Sequence, residues 1–217
     1  MPKYDLVLLD LDGTLADTDE LIVQTMNILY DKYRDGKRTP REEIYYFSGP
    51  PIGETLKKEF PDTDVELLMK EFASISWDLY ASIVSTDPHA LEVLTKLKDE
   101  GIHLGVVTIK MHITSVYCLE NLKLGNIIEY ICAFDDVKNP KPHEEGILKS
   151  MRDMGISDKR KVLYIGDNTS DYLCAKNAGV DVAMVTWGPR EIDKSIKPTY
   201  WLNDYLELED IVHGKDL

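Results

Sequence analysis

The chain has 217 residues, of which 43% are hydrophobic and 29% are charged, which suits one sizeable core or a core with a smaller inserted module. Its 39 acidic and 25 basic residues give a formal net charge of −14, and such a surface repels nucleic-acid phosphates and anionic lipids. We therefore expect neither nucleic acid nor membrane among its partners. The sequence has no leader-like start and no apolar run of membrane-spanning length, so we expect a cytoplasmic protein.

Short apolar segments alternate with helical patterns over most of the chain. From about residue 86 onward the alternation is regular; Ala90, Leu94 and Leu97, for example, share one face of a predicted helix. This pattern predicts an α/β fold with a doubly wound parallel sheet. The predicted strands cover residues 6–9, 104–107, 130–134, 162–165 and 182–185.

Residues 16–86 interrupt this alternation. Ile22, Met26 and Leu29 follow the spacing of an amphipathic helix, and a second helical stretch runs from about residue 64 to residue 80. Turn signals rich in glycine and proline separate the two stretches. We predict an all-helical module at residues 16–86, inserted into an α/β core that comprises residues 1–15 and 87–217.

The first acidic motif, Asp10-Leu11-Asp12-Gly13-Thr14-Leu15, directly follows the first predicted strand. Ligands of open α/β sheets bind beyond the carboxyl ends of the strands. Of two acids at i and i+2 in that place, one can attack phosphorus while the other transfers protons. Gly13 permits a tight turn whose backbone N–H groups face an anion. Taken alone, the motif fits a solvated turn equally well.

The second acidic motif, Gly166-Asp167-Asn168-Thr169-Ser170-Asp171, follows the strand predicted at 162–165. If a helix has begun by Asn168, Asp171 projects back toward the strand end. Oxygen ligands brought together from two strand ends suit Mg²⁺. Asn168 or Thr169 equally well serves as a plain helix N-cap, with Asp171 favouring the helix dipole.

Two further residues suit phosphate binding. Thr108 ends a predicted strand, where its hydroxyl and the next backbone N–H can hold a phosphate oxygen. Lys141 lies between two prolines in the loop Lys138-Asn139-Pro140-Lys141-Pro142, which can aim it at a dianion. Each signal is weak alone, because most lysines are solvated. Lys138 competes with Lys141 for this role, and the sequence leaves open whether Lys110 contacts substrate.

These four signals follow different predicted strands, in the order D-x-D-G-T, Thr, Lys-Pro and G-D-x-x-x-D. In this order, and over nearly the whole chain, the sequence resembles the phosphatase branch of the haloacid dehalogenase-like superfamily. The resemblance implies a Rossmann-like core with strand order 5-4-1-2-3 and a helical cap. It also implies that Asp10 is the nucleophile, which becomes an aspartyl-phosphate, and that Asp12 is the general acid and base.

The same resemblance implies how the site binds metal and phosphate. Mg²⁺ is expected on the Asp10 carboxylate, the Asp12 backbone carbonyl and Asp167, with Asp171 supporting the metal or completing the ligand set. Bringing a carboxylate up to a phosphate dianion is unfavourable unless cations neutralise the charge. The residues expected to bind the phosphoryl oxygens are Gly13, Thr108, Ile109 and Lys141.

The cap sequence bears on the substrate. The loop Gly49-Pro50-Pro51-Ile52-Gly53 resembles that of phosphoglycolate phosphatases and pyrophosphate hydrolases, which implies a small anionic phosphorylated substrate near Gly49 and Pro50. A plain interhelical turn explains the loop nearly as well. A sugar-phosphate mutase of the β-phosphoglucomutase type and a non-enzymatic phosphate-binding regulatory module stay open. Asp12 argues against dehalogenase activity, since carbon–halogen hydrolases of the superfamily lack that acid. The sequence does not indicate the oligomeric state.

Overall fold

The computed structural model describes residues 2–48 and 50–215. The chain divides into two compact units, one formed by Met1–Ala16 with Thr86–Leu217 and the other by Asp17–Ser85. Within the described residues, no helix combines the length and the apolar character needed to cross a membrane.

The larger unit contains a six-stranded parallel sheet with the strand order β3-β2-β1-β4-β5-β6. The strands found within the described residues are β1 (Leu6–Leu9), β2 (His103–Val107), β3 (Tyr130–Cys132), β4 (Val162–Gly166), β5 (Asp181–Val185) and β6 (Tyr200–Leu202). The α/β class and the order of the first five strands agree with the sequence prediction. The acids after β1 and β4 therefore leave neighbouring strands at the same edge.

The α-helices of both units follow from local sequence signals. Asp64 and Asp87 cap two of them by accepting hydrogen bonds from backbone N–H groups two residues on. Across residues 2–48 and 50–215 they are α1 (Asp19–Tyr33), α2 (Arg41–Ile44), α3 (Ile52–Glu59), α4 (Val65–Ile83), α5 (Pro88–Asp99), α6 (His112–Asn121), α7 (Glu145–Asp153), α8 (Thr169–Ala178) and α9 (Leu206–Val212).

Two details of the sheet differ from the sequence prediction. The strand predicted to reach Phe134 ends at Cys132, because the Asp136 carboxylate accepts a hydrogen bond from the Ala133 N–H (2.8 Å) and turns the chain into a short 3-10 helix. Strand β6 was not predicted, since its three residues are too few to form an apolar run.

The sheet core explains why the central strands are apolar throughout. All residues of β1 and β4 are buried, as expected for parallel strands that are packed on both faces. Leu8 and Tyr164 lie in one cluster with Ile147 of α7 and Cys174 of α8. This packing fixes the two strands whose carboxyl ends carry the acidic motifs.

The smaller unit is helical and has a core of its own. Its buried cluster includes Met26 and Leu29 of α1 together with Leu56 of α3 and Leu68 of α4. At its rim the Glu59 carboxylate accepts hydrogen bonds from several neighbouring side chains. These donors are Tyr30 (2.8 Å), Arg34 (2.9 Å) and Thr39 (2.7 Å).

The sheet core gives a test of the packing. Leu8→Ala removes a fully buried side chain from β1 and should lower the free energy of unfolding by about 2–5 kcal/mol. Ile113→Ala, on a side chain that is 70% exposed, should change it by less than about 0.5 kcal/mol. Urea unfolding of both variants measures the difference, and equal effects would contradict the described core.

Candidate active site

The loop after β1 holds Asp10 at the carboxyl edge of the sheet. The Asp10 N–H donates to the Ile165 carbonyl of β4 (2.8 Å), so the loop leaves the strand while still bonded to its neighbour. Gly13 has φ of 83°, and a Cβ atom there would lie 2.4 Å from Asp167 Oδ2. Glycine is therefore required both for the turn and for the close approach of Asp167.

The start of α8 directs Asp171 back to the same edge. The Asn168 side chain accepts a hydrogen bond from the Ser170 N–H (3.1 Å), and Asp171 Oδ2 accepts one from the Asn168 N–H (3.0 Å). This reciprocal capping orients the Asp171 carboxylate toward the end of β4. A Cβ atom on Gly166 would lie 2.4 Å from the Asp171 Cβ, so the motif needs a glycine at the strand end.

Lys141 is buried between two of these carboxylates. Its Nζ lies 2.8 Å from Asp10 Oδ1 and 2.6 Å from Asp171 Oδ1. The Tyr164 hydroxyl, 3.2 Å from the same Nζ, lies 3.0 Å from Asp171 Oδ1 and 3.0 Å from the Val107 carbonyl oxygen. Burial alone would lower the pKa of Lys141, but the charges of Asp10 and Asp171 raise it above its ordinary value.

Asp10 is buried, and its Oδ1 is held by an ion pair. Lys141 Nζ lies 2.8 Å from that oxygen, which has no hydrogen bond of standard geometry among the described residues. Burial raises the pKa of Asp10 to about 7; Lys141 opposes this, whereas Asp171 and Asp167 add to it. The carboxylate is thus available to a further cation or to an electrophile.

Arg190 neutralises Asp167 on the other side of the site. Its Nε (3.0 Å) and its Nη2 (2.7 Å) both donate to Asp167 Oδ2. Burial raises the pKa of Asp167 to about 6, and Asp171 adds to this effect while Arg190 opposes it. Both side chains are buried, so this ion pair is shielded from solvent.

The cluster has the composition of a site for a hard divalent cation. Asp10, Asp167 and Asp171 each offer an oxygen within 4.8 Å of the others. Within the described part of the chain, the ion pairs of these three carboxylates are those with Lys141 and Arg190. An all-oxygen donor set with excess buried negative charge fits Mg²⁺.

Asp12 lies beside this cluster and pairs with a different lysine. Lys110 Nζ lies 2.8 Å from Asp12 Oδ1 and 2.9 Å from Oδ2, and both side chains are 19% exposed. Burial lowers the pKa of Lys110, but the charge of Asp12, its hydrogen bond to Lys110 and smaller contributions from Cys118 and Asp10 together raise it above its ordinary value. The pair is therefore near Asp10 but more open to solvent than Lys141.

The other predicted residues fall in different places. Thr108 is buried at the end of β2 and accepts a hydrogen bond from the Lys110 N–H (3.2 Å), and Ile109 next to it is half-buried. Lys138, the alternative to Lys141, is exposed. Pro50 belongs to the helical unit, where it is exposed two residues before α3. Gly49 lies outside the described residues.

The sequence analysis assigned no role to Arg190 or Tyr164, and it left open whether Lys110 contacts substrate. Arg190 follows the turn Trp187-Gly188-Pro189, beyond the carboxyl end of β5. Arg190 lies beyond a strand end, as the acids do, so the same sequence signal could have identified it as a candidate site residue. The hydroxyl of Tyr164 is hidden within an otherwise apolar strand, so no local pattern distinguishes it from packing.

Comparison with known proteins identifies the family. The sequence matches the haloacid dehalogenase-like hydrolases over residues 7–185. The chain belongs to this family, and it is therefore a hydrolase. It is 33% identical over 215 residues to a pyrophosphatase PpaX of Halalkalibacterium halodurans, covering 98% of this chain and 99% of that one. A pyrophosphatase PpaX of Bacillus pumilus is 33% identical over 208 residues, with 95% of each chain covered.

A solved structure shares the fold. A haloacid dehalogenase-superfamily hydrolase of Geobacter sulfurreducens superposes with a TM-score of 0.77 at 23% identity, covering 97% of each chain. At this identity the likeness concerns the fold alone. The family's hydrolase fold thus accounts for the architecture that brings the four motifs to one edge.

The ion pair between Arg190 and Asp167 gives a prediction about metal-linked stability. Without added metal, Arg190→Met should lower the free energy of unfolding by about 3 kcal/mol, because Asp167 loses its buried partner. Mg²⁺ should recover part of this loss, since a divalent cation replaces the missing charge. Thermal and urea unfolding with and without Mg²⁺ measure both effects.

A matched variant serves as the control for this prediction. Arg160→Met removes an arginine whose side chain is 90% exposed and should leave both unfolding curves unchanged. If Arg190→Met lowers the free energy of unfolding by the same amount with and without Mg²⁺, this result would argue against a cation site at Asp167.

Proposed function

We propose that this protein is a Mg²⁺-dependent phosphatase that hydrolyses small anionic phosphate compounds through an aspartyl-phosphate on Asp10. The observation that carries the proposal is the Asp10 carboxylate itself. It is buried at the end of β1, and the ammonium of the buried Lys141 lies 2.8 Å from its Oδ1. A buried carboxylate beside a buried cation suits attack on a phosphorus atom whose oxygens that cation binds.

The reaction divides into two steps on this chain's residues. An oxygen of Asp10 attacks phosphorus, the bond to the leaving oxygen breaks, and Asp12 gives the leaving oxygen a proton. Asp12 then takes a proton from a water molecule that attacks phosphorus, which releases phosphate and restores the Asp10 carboxylate. The groups proposed to bind the phosphoryl oxygens are Lys141, Thr108 and the backbone N–H groups of Gly13 and Ile109.

Asp10, Asp167 and the Asp12 carbonyl are proposed to hold Mg²⁺, which when bound neutralises charge on the transferred phosphoryl group. For Asp171 we propose a supporting role. Its Oδ1 is bonded by Lys141 and Tyr164, and its Oδ2 by the Asn168 N–H. With both oxygens engaged, Asp171 is suited to position Lys141 and does not need to bind the metal directly.

Pyrophosphate is the substrate that the comparisons favour among small phosphate compounds, because relatives that span almost the whole chain are pyrophosphatases. Phosphoglycolate-like esters, to which the Gly49-Pro50 loop points, are the second candidates. We also propose that the helical unit Asp17–Ser85 acts as a cap that admits small substrates. Rates of phosphate release from a panel of small phosphate esters and pyrophosphate test the assignment.

The nucleophile can be tested by a single substitution. Asp10→Asn should lower kcat by at least about 1,000-fold, because an amide oxygen is a poor nucleophile and a weaker metal ligand. Asp99→Asn, the same change on an exposed residue at the end of α5, should keep wild-type kcat. Wild-type turnover by a folded Asp10→Asn protein would rule out this mechanism.

Metal dependence gives a separate test. A chelator should abolish phosphate release and Mg²⁺ should restore it, whereas Ca²⁺ should substitute poorly because it accepts a looser and larger ligand shell. Glu209→Gln alters a different acidic group, formed with Glu100 and His213, and should leave the Mg²⁺ activation curve unchanged. Full activity in excess chelator would refute the proposed role of Mg²⁺.

A further inference from the structure

Lys110 is the second lysine of the site, and its partner is the proposed acid–base residue rather than the nucleophile. Its Nζ contacts both carboxylate oxygens of Asp12, at 2.8 and 2.9 Å. The two residues are far apart in the sequence, so the contact depends on β1 and β2 being neighbours in the sheet. The Lys110 ammonium therefore lies beside the group that meets the leaving oxygen.

The backbone of Lys110 is held firmly enough to fix where its side chain starts. Its N–H donates to Thr108 Oγ1 (3.2 Å), and its carbonyl accepts a hydrogen bond from the Phe134 N–H (3.0 Å). Two anchors on adjacent strand ends thus orient the residue. A lysine held in this way is a defined part of the site rather than a solvated surface charge.

The two lysines differ in exposure, and the difference suggests different tasks. The Lys141 side chain is 3% exposed and lies between Asp10 and Asp171, where the transferred phosphoryl group is proposed to bind. Lys110 and Asp12 are each 19% exposed. The more open pair is the one that can meet a group beyond the transferred phosphorus, namely the leaving group.

We propose that Lys110 binds a negatively charged leaving group and so makes the site selective for substrates that carry a second anionic group, foremost inorganic pyrophosphate. This inference rests on the proposed function. When the bond from phosphorus to the bridging oxygen breaks, its electron pair passes to the leaving phosphate. The Lys110 ammonium pairs with that phosphate and transfers no proton, while Asp12 supplies the proton to the leaving oxygen.

A neutral leaving group gives Lys110 nothing to bind. A phenyl ester that is protonated as it leaves departs as an uncharged phenol and needs only Asp12. A phosphate leaving group carries negative oxygens throughout the reaction, and hydrogen bonds from a cation to such oxygens are strong. Lys110 should therefore affect the ratio of kcat/KM for pyrophosphate to kcat/KM for phenyl phosphate. Its effect on hydrolysis of the phenyl ester alone should be small.

The test compares kcat/KM for pyrophosphate and for phenyl phosphate, both with Mg²⁺. Lys110→Met keeps the length of the side chain and removes its charge. It should lower kcat/KM for pyrophosphate about 10- to 100-fold more than for phenyl phosphate, the size expected for a lost hydrogen bond to a charged group. Lys110→Arg keeps the positive charge and should restore part of the lost preference for pyrophosphate over phenyl phosphate. Lys138→Met, at an exposed lysine, should leave that preference at the wild-type value.

Binding gives a readout that does not require turnover. In the Asp10→Asn background, Lys110→Met should weaken calorimetric binding of pyrophosphate about 10-fold or more while leaving the affinity for inorganic phosphate nearly unchanged. Inorganic phosphate fills the position of the transferred group alone, so it reports on Lys141 and the metal. Pyrophosphate adds the half of the substrate that Lys110 is proposed to bind.

The outcomes separate this inference from the proposed function. A fall of the same factor for both substrates, or equal weakening of both ligands, overturns the inference, because Lys110 would then act only through Asp12 or through folding. If the wild-type protein hydrolyses neither substrate but the binding difference is seen, the proposed function fails and the assignment of Lys110 stands.

Discussion

Three carboxylates buried at one edge of the sheet repel one another, and the surrounding structure serves to hold them there. Lys141 lies between Asp10 and Asp171, and Arg190 binds Asp167 from the other side. Two cations leave an excess of negative charge among three acids, and burial prevents water from screening it. Burial raises the pKa values of Asp10 and Asp167, and the charges of the neighbouring acids add to this rise. A divalent cation relieves the excess of negative charge, which connects the stability of the edge to the proposed chemistry.

The fold supplies this arrangement by simple means. Parallel strands with helices on both faces end at a common edge, so acids that directly follow β1 and β4 must lie near each other. Glycines make the approach possible at two points, because Gly13 faces Asp167 and Gly166 faces the Asp171 side chain. The packed strands thus provide rigidity, and the loops provide the side chains and backbone groups of the site. Such a division suits the proposed phosphoryl transfer, which depends on positioning and electrostatics.

Local sequence predicted the parts of this site that depend on strand ends. Short apolar segments bounded by polar residues form buried parallel strands, and Asp10, Thr108 and Asp167 are the residues that follow them. Where the local signal was weak the prediction was wrong or silent. The strand expected to reach Phe134 stops earlier, because a side chain to backbone hydrogen bond at Ala133 outweighs its apolar character. Strand β6 forms because it pairs with β5. Pairing between segments that are separate in the sequence produces no hydrophobic periodicity in the sequence, so the strand was not predicted.

The sequence by itself thus determined the α/β class, the order of the motifs and the edge at which the acids meet. These features follow from the pattern of apolar segments along the chain and from the position of each acid after a predicted strand, both of which are visible in short stretches of sequence. The tertiary structure alone decided which charge pairs with which. Lys141 pairs with an acid 30 residues further along the chain, Lys110 pairs with Asp12 across two strands, and Arg190 reaches Asp167. Such pairs depend on side-chain direction and burial, which packing between distant segments creates and no local pattern encodes.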